Sequence, residues 1–340
     1  MSTLFFPRAP HRLLSVLGVL LCAALLAGPA QAQVAQSSAL FLRIEPDSRS
    51  AGMGNAGVAL ADNANAMFWN PSGLAFQENT QVGLTHANWL PEFNANLFYE
   101  YLVGTYHVDG VGTFGGNVQF LNLGEIEVRN GDNVVLDVVS SYQLAVATSY
   151  GRKIGDRLGV GTSVRFIYSK LAAAPGEGGG DGKASTLATD LSALYRSAPF
   201  SLAGTEATFS TGLNIANLGG TLDFNDQTRA TDPIPASFRI GPALTIDFDE
   251  YNSLTLATDF NKSLVSVDQE VTPDGDTVRV GNNGFQALFD SWGSARGQVV
   301  EGEAQSLSLL QQFTVGTGLE YWYSDLFALR TGYYYEHPDN

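Results

Sequence analysis

The feature that most constrains this chain is an alternation of side chains with period two, recurring in segments of about ten residues from residue 81 onward. In Leu158–Lys170, Leu158, Val160, Thr162, Val164, Phe166 and Tyr168 share one face. Gly159, Gly161, Ser163, Arg165 and Ser169 share the other, with Ile167 as the exception. Tyr142, Leu144, Val146, Thr148 and Tyr150 oppose Gln143, Ala145, Ala147 and Ser149 in the same way. Leu254, Leu256, Thr258 and Phe260 likewise oppose Ser253, Thr255, Ala257, Asp259 and Asn261. Eleven strands are expected, over 81–90, 95–107, 111–123, 138–150, 158–170, 185–196, 206–217, 236–248, 253–264, 311–323 and 326–336.

A soluble sandwich also alternates, so connections and aromatic placement must separate the two classes. Short links at His107–Val111, Gly151–Arg157, Asp249–Asn252 and Ser324–Asp325 are interleaved with long ones at 124–137, 171–184, 218–235 and 265–310. Short turns on one rim and long loops on the other are the arrangement of an outer-membrane barrel. Aromatic residues gather at strand ends (Tyr150, Phe166, Tyr168, Phe248, Tyr321, Tyr323, Tyr333, Tyr335), where interfacial girdles belong. The expected fold is all-β, a transmembrane antiparallel β-barrel occupying residues 81–340.

Composition excludes several alternatives. Charged residues make up 15% of the chain, well under the usual share of about a quarter. A net charge of −16 with only four lysines argues against a nucleic-acid partner. The one cysteine, Cys22, lies in a segment with the marks of a secretory signal peptide, residues 1–32. Arg8, His11 and Arg12 precede an apolar run from Leu13 to Ala27, and Ala30-Gln31-Ala32 follows as a small-x-small cleavage site. Export with no later apolar run of about 20 residues again points to a barrel. An odd strand number leaves an unpaired edge in lipid, so the chain is expected to be incomplete at its C-terminal end, lacking an odd number of strands.

Residues 33–80 do not alternate. Glycines cluster in Ser48–Ala59, a small-residue stretch follows, and Phe68-Trp69-Asn70-Pro71-Ser72-Gly73 closes the segment with a turn initiator. A hatch or plug folded inside the lumen and an arm lying on the surface both suit such a composition.

Three spaced stretches carry a resemblance: Phe41-Leu42-Arg43-Ile44-Glu45-Pro46-Asp47-Ser48-Arg49, Met53-Gly54-Asn55-Ala56-Gly57-Val58-Ala59, and Trp69-Asn70-Pro71-Ser72-Gly73-Leu74-Ala75-Phe76. Further matches fall at Leu121–Ile126, Asp259–Lys262, Gly318–Tyr323 and Phe327–Tyr333. The chain resembles the PorV proteins of type IX secretion, within the wider group of FadL-like outer-membrane barrels. The resemblance implies a 14-stranded barrel with an N-terminal hatch, of which about eleven strands are present here. It implies a hatch built on Arg49, Gly52, Gly54, Gly57, Asn70 and Pro71. It further implies a place in the bacterial outer membrane and partners in the large translocon barrel, cargo C-terminal domains and a surface sortase complex.

Chemistry-bearing motifs are sparse. Neither a Gly-x-Ser-x-Gly elbow nor a His-Glu-x-x-His pair occurs, and no catalytic residue, cofactor or metal site is expected. His86, His107 and His337 read as loop-edge residues, Gly176–Lys183 as a flexible loop, and Asp268, Asp274 and Asp276 as a solvated acidic loop. Because a lipid-facing charge costs about 2–4 kcal/mol at mid-bilayer, Glu100, Arg165, Asp190, Arg196, Arg239, Asp247, Asp259, Glu320, Arg330 and Glu336 are expected to face the lumen. A three-residue turn at 324–326 sets Glu320 opposite Arg330 as a lumenal ion pair. In the long 265–310 loop, Phe285, Leu288, Phe289 and Trp292 are candidate partner contacts, since clustered aromatics are what a binding hot spot needs. The resemblance implies a secretion component that carries cargo to the surface attachment machinery, and the hatch leaves open a FadL-like channel for hydrophobic small molecules.

Overall fold

Eleven strands follow one another along the chain and pair in sequence order. They are β1 (Gln81–Asn88), β2 (Phe98–Val108), β3 (Gly112–Arg129), β4 (Val135–Ile154), β5 (Leu158–Lys170) and β6 (Lys183–Arg196). The remainder are β7 (Thr205–Gly219), β8 (Ser237–Asp247), β9 (Asn252–Ser263), β10 (Phe313–Tyr323) and β11 (Phe327–Tyr335). Each is antiparallel to its neighbour in one continuous sheet, to which Phe200–Leu202 adds a short hairpin on β7. The computed structural model describes residues 32–33, 37–88, 96–171, 181–225, 230–271, 277–293, 295–300 and 303–338. The signal-peptide run up to residue 31, the Gly-rich stretch 172–180, Asp274 and Asp276 lie outside the described residues. Among the described residues, the edge strands β1 and β11 pair with their single sheet neighbours and not with each other.

The alternation read from the sequence is the alternation of the wall. Outward Val164, Leu187, Leu191 and Leu256 are exposed, the pattern expected of a lipid-facing wall. Inward Ser149, Ser163, Arg165 and Ser169 are buried. Ile167 breaks the polar pattern because it packs, fully buried, in the lumenal apolar cluster with Phe41, Met67, Tyr99 and Leu74. Two aromatic belts sit at the strand ends. Phe98, Phe120, Tyr142 and Tyr168 make a row with centroids 5.8–5.9 Å apart on the long-loop side. Phe114 and Tyr150, 4.9 Å apart, mark the short-turn side.

Several expectations need correction. The 124–137 link is not a free loop, since β3 and β4 continue as a ladder through Arg129↔Val135 beyond a bulge at Asn122/Glu125. The 265–310 link is also structured. It carries the hairpin Val267–Val271/Thr277–Gly281, the helix α3 (Gly284–Asp290) and the hairpin Ala295–Val300/Glu303–Leu307. Backbone pairing in both cases removes donors and acceptors that an irregular loop would leave to water. Glu100 faces outward beside exposed Leu102, not into the lumen. It lies opposite His86 near the long-loop rim and meets its Nδ1 at 3.1 Å, which supplies a partner at the level where water is at hand.

The N-terminal segment is inside. Two short helices, α1 (Ser48–Gly52) and α2 (Ala66–Trp69), and the 3-10 turn Pro71–Phe76 are threaded through the lumen. The hatch touches the wall from its first strand to its last, from Gln81 and Thr85 on β1 to Gly332 on β11. Close approach is possible because the wall presents hydrogen where other residues carry a Cβ. A Cβ on Gly161 would stand 2.3 Å from the Ser72 nitrogen, and one on Gly212 2.2 Å from the Val58 oxygen. Gly161→Val is therefore expected to unseat the Pro71–Phe76 turn, whereas Gly131→Ala, with nothing within 4 Å, leaves it in place. Limited proteolysis of the detergent-solubilised protein reads this as new cleavage within 70–77 in the first variant alone.

Candidate functional site

The hatch is pinned to the wall at two buried carboxylates. Glu320 projects inward from β10 and is 1% exposed. The turn 324–326 places it in register with Arg330 on β11, whose Nε donates to Oε2 at 2.5 Å. Arg49 of α1 reaches the same carboxylate from the hatch, donating from Nη2 to Oε1 at 2.7 Å and from Nε to Oε2 at 2.9 Å. This two-pronged contact is the strong form of an arginine–carboxylate pair. Arg49 Nη1 also donates to Asp62 Oδ1 at 2.6 Å, within the hatch. Burial disfavours the charge of Arg49, but Asp62 and Glu320 outweigh it and hold the guanidinium protonated more firmly than usual.

Asp259 makes the second pin. Its Oδ2 accepts from the backbone N–H groups of Gly57 and Val58 at 2.7 and 2.8 Å. Two successive amides aimed at one oxygen form an anion-binding concavity. Gly57 also allows the approach of Trp69, whose Cδ2 would stand 2.4 Å from a Cβ. Beside Asp259 lies a polar cavity of about 60 Å³ lined by Glu45, Asn55, Arg239, Asn261 and Thr314 among others. Arg239 Nε and Nη1, Asp259 Oδ1 and Asn261 Oδ1 have no hydrogen-bond partner among the described residues. A polar space of that size suits ordered water. The Arg239 guanidinium also stacks 5.2 Å from the ring centroids of Phe68 and Trp69, a cation–π contact that ties β8 to α2.

The remaining hatch residues are placed by local chemistry. Asp47 caps α1, accepting from the Ser50 N–H at 2.8 Å, and takes the Trp69 indole N–H at 2.7 Å. Asn70, fully buried, donates to Val58 O within the hatch and to Ala193 O on β6, and accepts from Ser72. Pro71 sits at the start of the 3-10 turn, where its missing N–H costs nothing. Gly54 adopts φ +64°, and a Cβ there would lie 2.6 Å from the Tyr333 oxygen. Gly52 lies against Arg330, whose Cβ would stand 3.3 Å from a Cβ at position 52.

The four candidate contacts in the long loop separate into two pairs. Phe285 and Phe289, one helical turn apart on α3, are 52% and 75% exposed. Leu288 and Trp292 are half-buried, and the Trp292 indole donates to the Leu288 carbonyl at 2.6 Å. Trp292 packs edge-on against Phe238 at 5.3 Å, with Lys262 Nζ 5.9 Å from its ring. Phe238 and Lys262 both belong to the outward face of the wall, so the 284–292 segment folds down over the outside of β7–β9. This cover explains how an outward-facing lysine is 3% exposed, with its ammonium donating to Gln312 at 2.7 Å.

The period-two pattern places Asp259 and Arg239 on the inner face and says nothing of what they meet there. Their partners, Gly57, Val58, Phe68 and Trp69, are too distant in sequence for spacing to reveal. The histidines are paired as well: His107 Nε2 meets Asp109 at 3.3 Å, and His337 meets Gln311 at 3.1 Å.

An antiparallel sheet of eleven strands in sequence order, holding an N-terminal segment against its inner face through buried carboxylates, defines the class. Within that class, the family model described as type IX secretion system protein PorV matches residues 28–270, and the chain belongs to that family. Among solved structures, the toluene transporter TodX of Pseudomonas putida is similar at 13% identity and a TM-score of 0.42, over 91% of this chain and 85% of that one. A second TodX structure matches at 13% identity and a TM-score of 0.40, over 85% and 82%. No curated protein matches the chain.

Removing the Glu320 carboxylate takes the carboxylate partner from Arg330 and leaves Arg49 with Asp62 alone. Glu320→Ala is expected to destabilise the hatch by about 3 kcal/mol, the low end for breaking a buried ion pair. Glu320→Gln, which keeps two hydrogen-bonding atoms, costs less. Denaturant titration followed by tryptophan fluorescence measures both, and an unchanged midpoint in Glu320→Ala would contradict the pin.

Proposed function

We propose that this protein is an outer-membrane component of type IX secretion that receives cargo C-terminal domains at the large translocon barrel and delivers them to the surface attachment and sortase complex. Family membership supports the pathway. The observation that carries the mode of action is the filled lumen: Met53, Met67, Asn70, Ser72 and Leu74 of the hatch are all fully buried within the wall. A barrel stoppered in this way engages cargo at its rim rather than conducting it. The structured 265–310 connection, with exposed Phe285 and Phe289, supplies the apolar contacts such an encounter needs. The channel alternative needs a greasy path through the lumen. The apolar residues of the inward faces, Tyr99, Val103 and Ile167 among them, are buried against the hatch rather than lining an open path, and Ser149, Ser163, Arg165, Asp190, Asn214 and Asp259 beside them are polar.

Export through cleavage after Ala32 belongs to the same proposal and follows from the small-x-small site. Affinity purification of the full chain from detergent-extracted outer membranes, with mass spectrometry of the companions, tests the role. Recovery of a translocon barrel and cargo C-terminal domains is expected, with a several-fold loss of cargo in a Phe285→Ala/Phe289→Ala double variant that still inserts. Recovery of the barrel alone, carrying bound apolar small molecules, would favour the channel instead.

A further inference from the structure

We infer that the groove between α3 and the outer face of β5–β6 is a seat for one acyl chain of an outer-leaflet lipid. The inference rests on the outer-membrane placement and not on the secretion role. The groove has a volume of about 760 Å³. Val164, Leu187 and Thr189 form its floor, Leu218, Gly219 and Gly220 one flank, and Phe285, Gln286 and Phe289 of α3 its roof.

The position of the floor identifies the occupant. Val164 and Leu187 share the outward face with Phe166 and Leu191, and all four are exposed. Val164 stands at the middle of β5, the level of the bilayer interior, and Leu187 lies nearer the long-loop end of β6. The groove is thus continuous with the surface that meets lipid, and its roof overhangs from the long-loop side. A soluble peptide arriving from outside the cell meets the outer side of the roof at Phe285 and Phe289 but does not reach the floor at Val164, whereas an acyl chain is already there. The roof is aromatic and the floor aliphatic, so the recognised chemistry is an extended alkyl chain.

The groove is built rather than incidental. Opposite Asp190, β7 carries an extra residue: the register passes from Leu191↔Ile215 to Thr189↔Leu218. Asn217, at φ 58°, occupies the bulge. Asp190 holds it there, accepting from the Asn217 N–H at 2.7 Å, and Arg165 bridges the Asp190 carboxylate and the Asn217 side chain. Arg165 and Asp190 are 4% and 1% exposed. The helix is seated directly on the bulge, since a Cβ on Gly284 would stand 2.8 Å from the Gly219 nitrogen. Trp292 on Phe238 then fastens the far end of the segment. Phe285 and Phe289 are thereby held over the floor with their rings unburied.

Photolabelling in reconstituted bilayers tests the seat. The full chain is placed in vesicles containing phosphatidylethanolamine with a diazirine at mid-chain of one tail, and labelled peptides are quantified. Label is expected to concentrate on peptides bearing Leu187 and Gly284–Asp290, several-fold above those bearing Leu84 and Leu256, which are exposed on the same wall. Leu187→Trp, which fills the groove from its floor, is expected to cut the label on Gly284–Asp290 several-fold while leaving that at Leu256 unchanged. Phe289→Ala, which removes part of the roof at an exposed position, lowers the same label and carries the test if Leu187→Trp fails to insert. Uniform labelling of the wall, or groove labelling indifferent to both substitutions, would overturn the inference.

Discussion

The wall and the hatch depend on one another through carboxylates withdrawn from water. A buried carboxylate without partners is strongly unfavourable, so Glu320 and Asp259 are stable only when the hatch is seated. Glu320 needs the Arg49 guanidinium as well as Arg330, and Asp259 needs the two amides of Gly57 and Val58. The dependence also runs the other way. Those amides lie in a segment too Gly-rich to fold alone, and the wall supplies their acceptor. Inward glycines make the fit sterically possible, and the carboxylates make it specific in register.

This coupling shapes the rest of the lumen. Once α1 and the Pro71–Phe76 turn are fixed, the inward residues must be small or must bond to the hatch backbone. Asn214 donates to Trp69 O, Ser192 accepts from the Ser72 N–H, and Thr113 donates to Gln77 O. The outer face is free of that constraint and carries aliphatic residues in the middle and rings at the ends. Where the outer face does carry a lysine, at position 262, the long loop folds over it.

What the sequence revealed divides along the range of the interaction. Strand existence, facing and order were legible, because period two is a local signal and each strand pairs with the next. Register across the turn at 324–326 is likewise a local relation, since the number of turn residues determines which side chains face one another. The choice between a lumenal hatch and a surface arm was not legible: it rests on contacts such as Arg49–Glu320, separated by 271 residues. The long links misled for a related reason. Polar, Gly-containing stretches read as loops, yet 124–137 continues the β3–β4 ladder and 265–310 folds into hairpins and a helix through backbone bonding that needs no apolar pattern. Trp292 reads as an exposed anchor because its cover, Phe238, lies 54 positions away on β8.

A hatch locked by buried charge leaves a rim and an outer surface as the places where this family member meets other molecules. Amide hydrogen exchange on the folded chain in micelles tests that lock most directly, at Gly57 and Val58. If Asp259 holds both amides, they exchange as slowly as the central residues of β9 and become fast together in Asp259→Asn. Rapid exchange of Gly57 and Val58 in the unmodified protein, at the rate of the exposed turn at 131–133, would contradict the account.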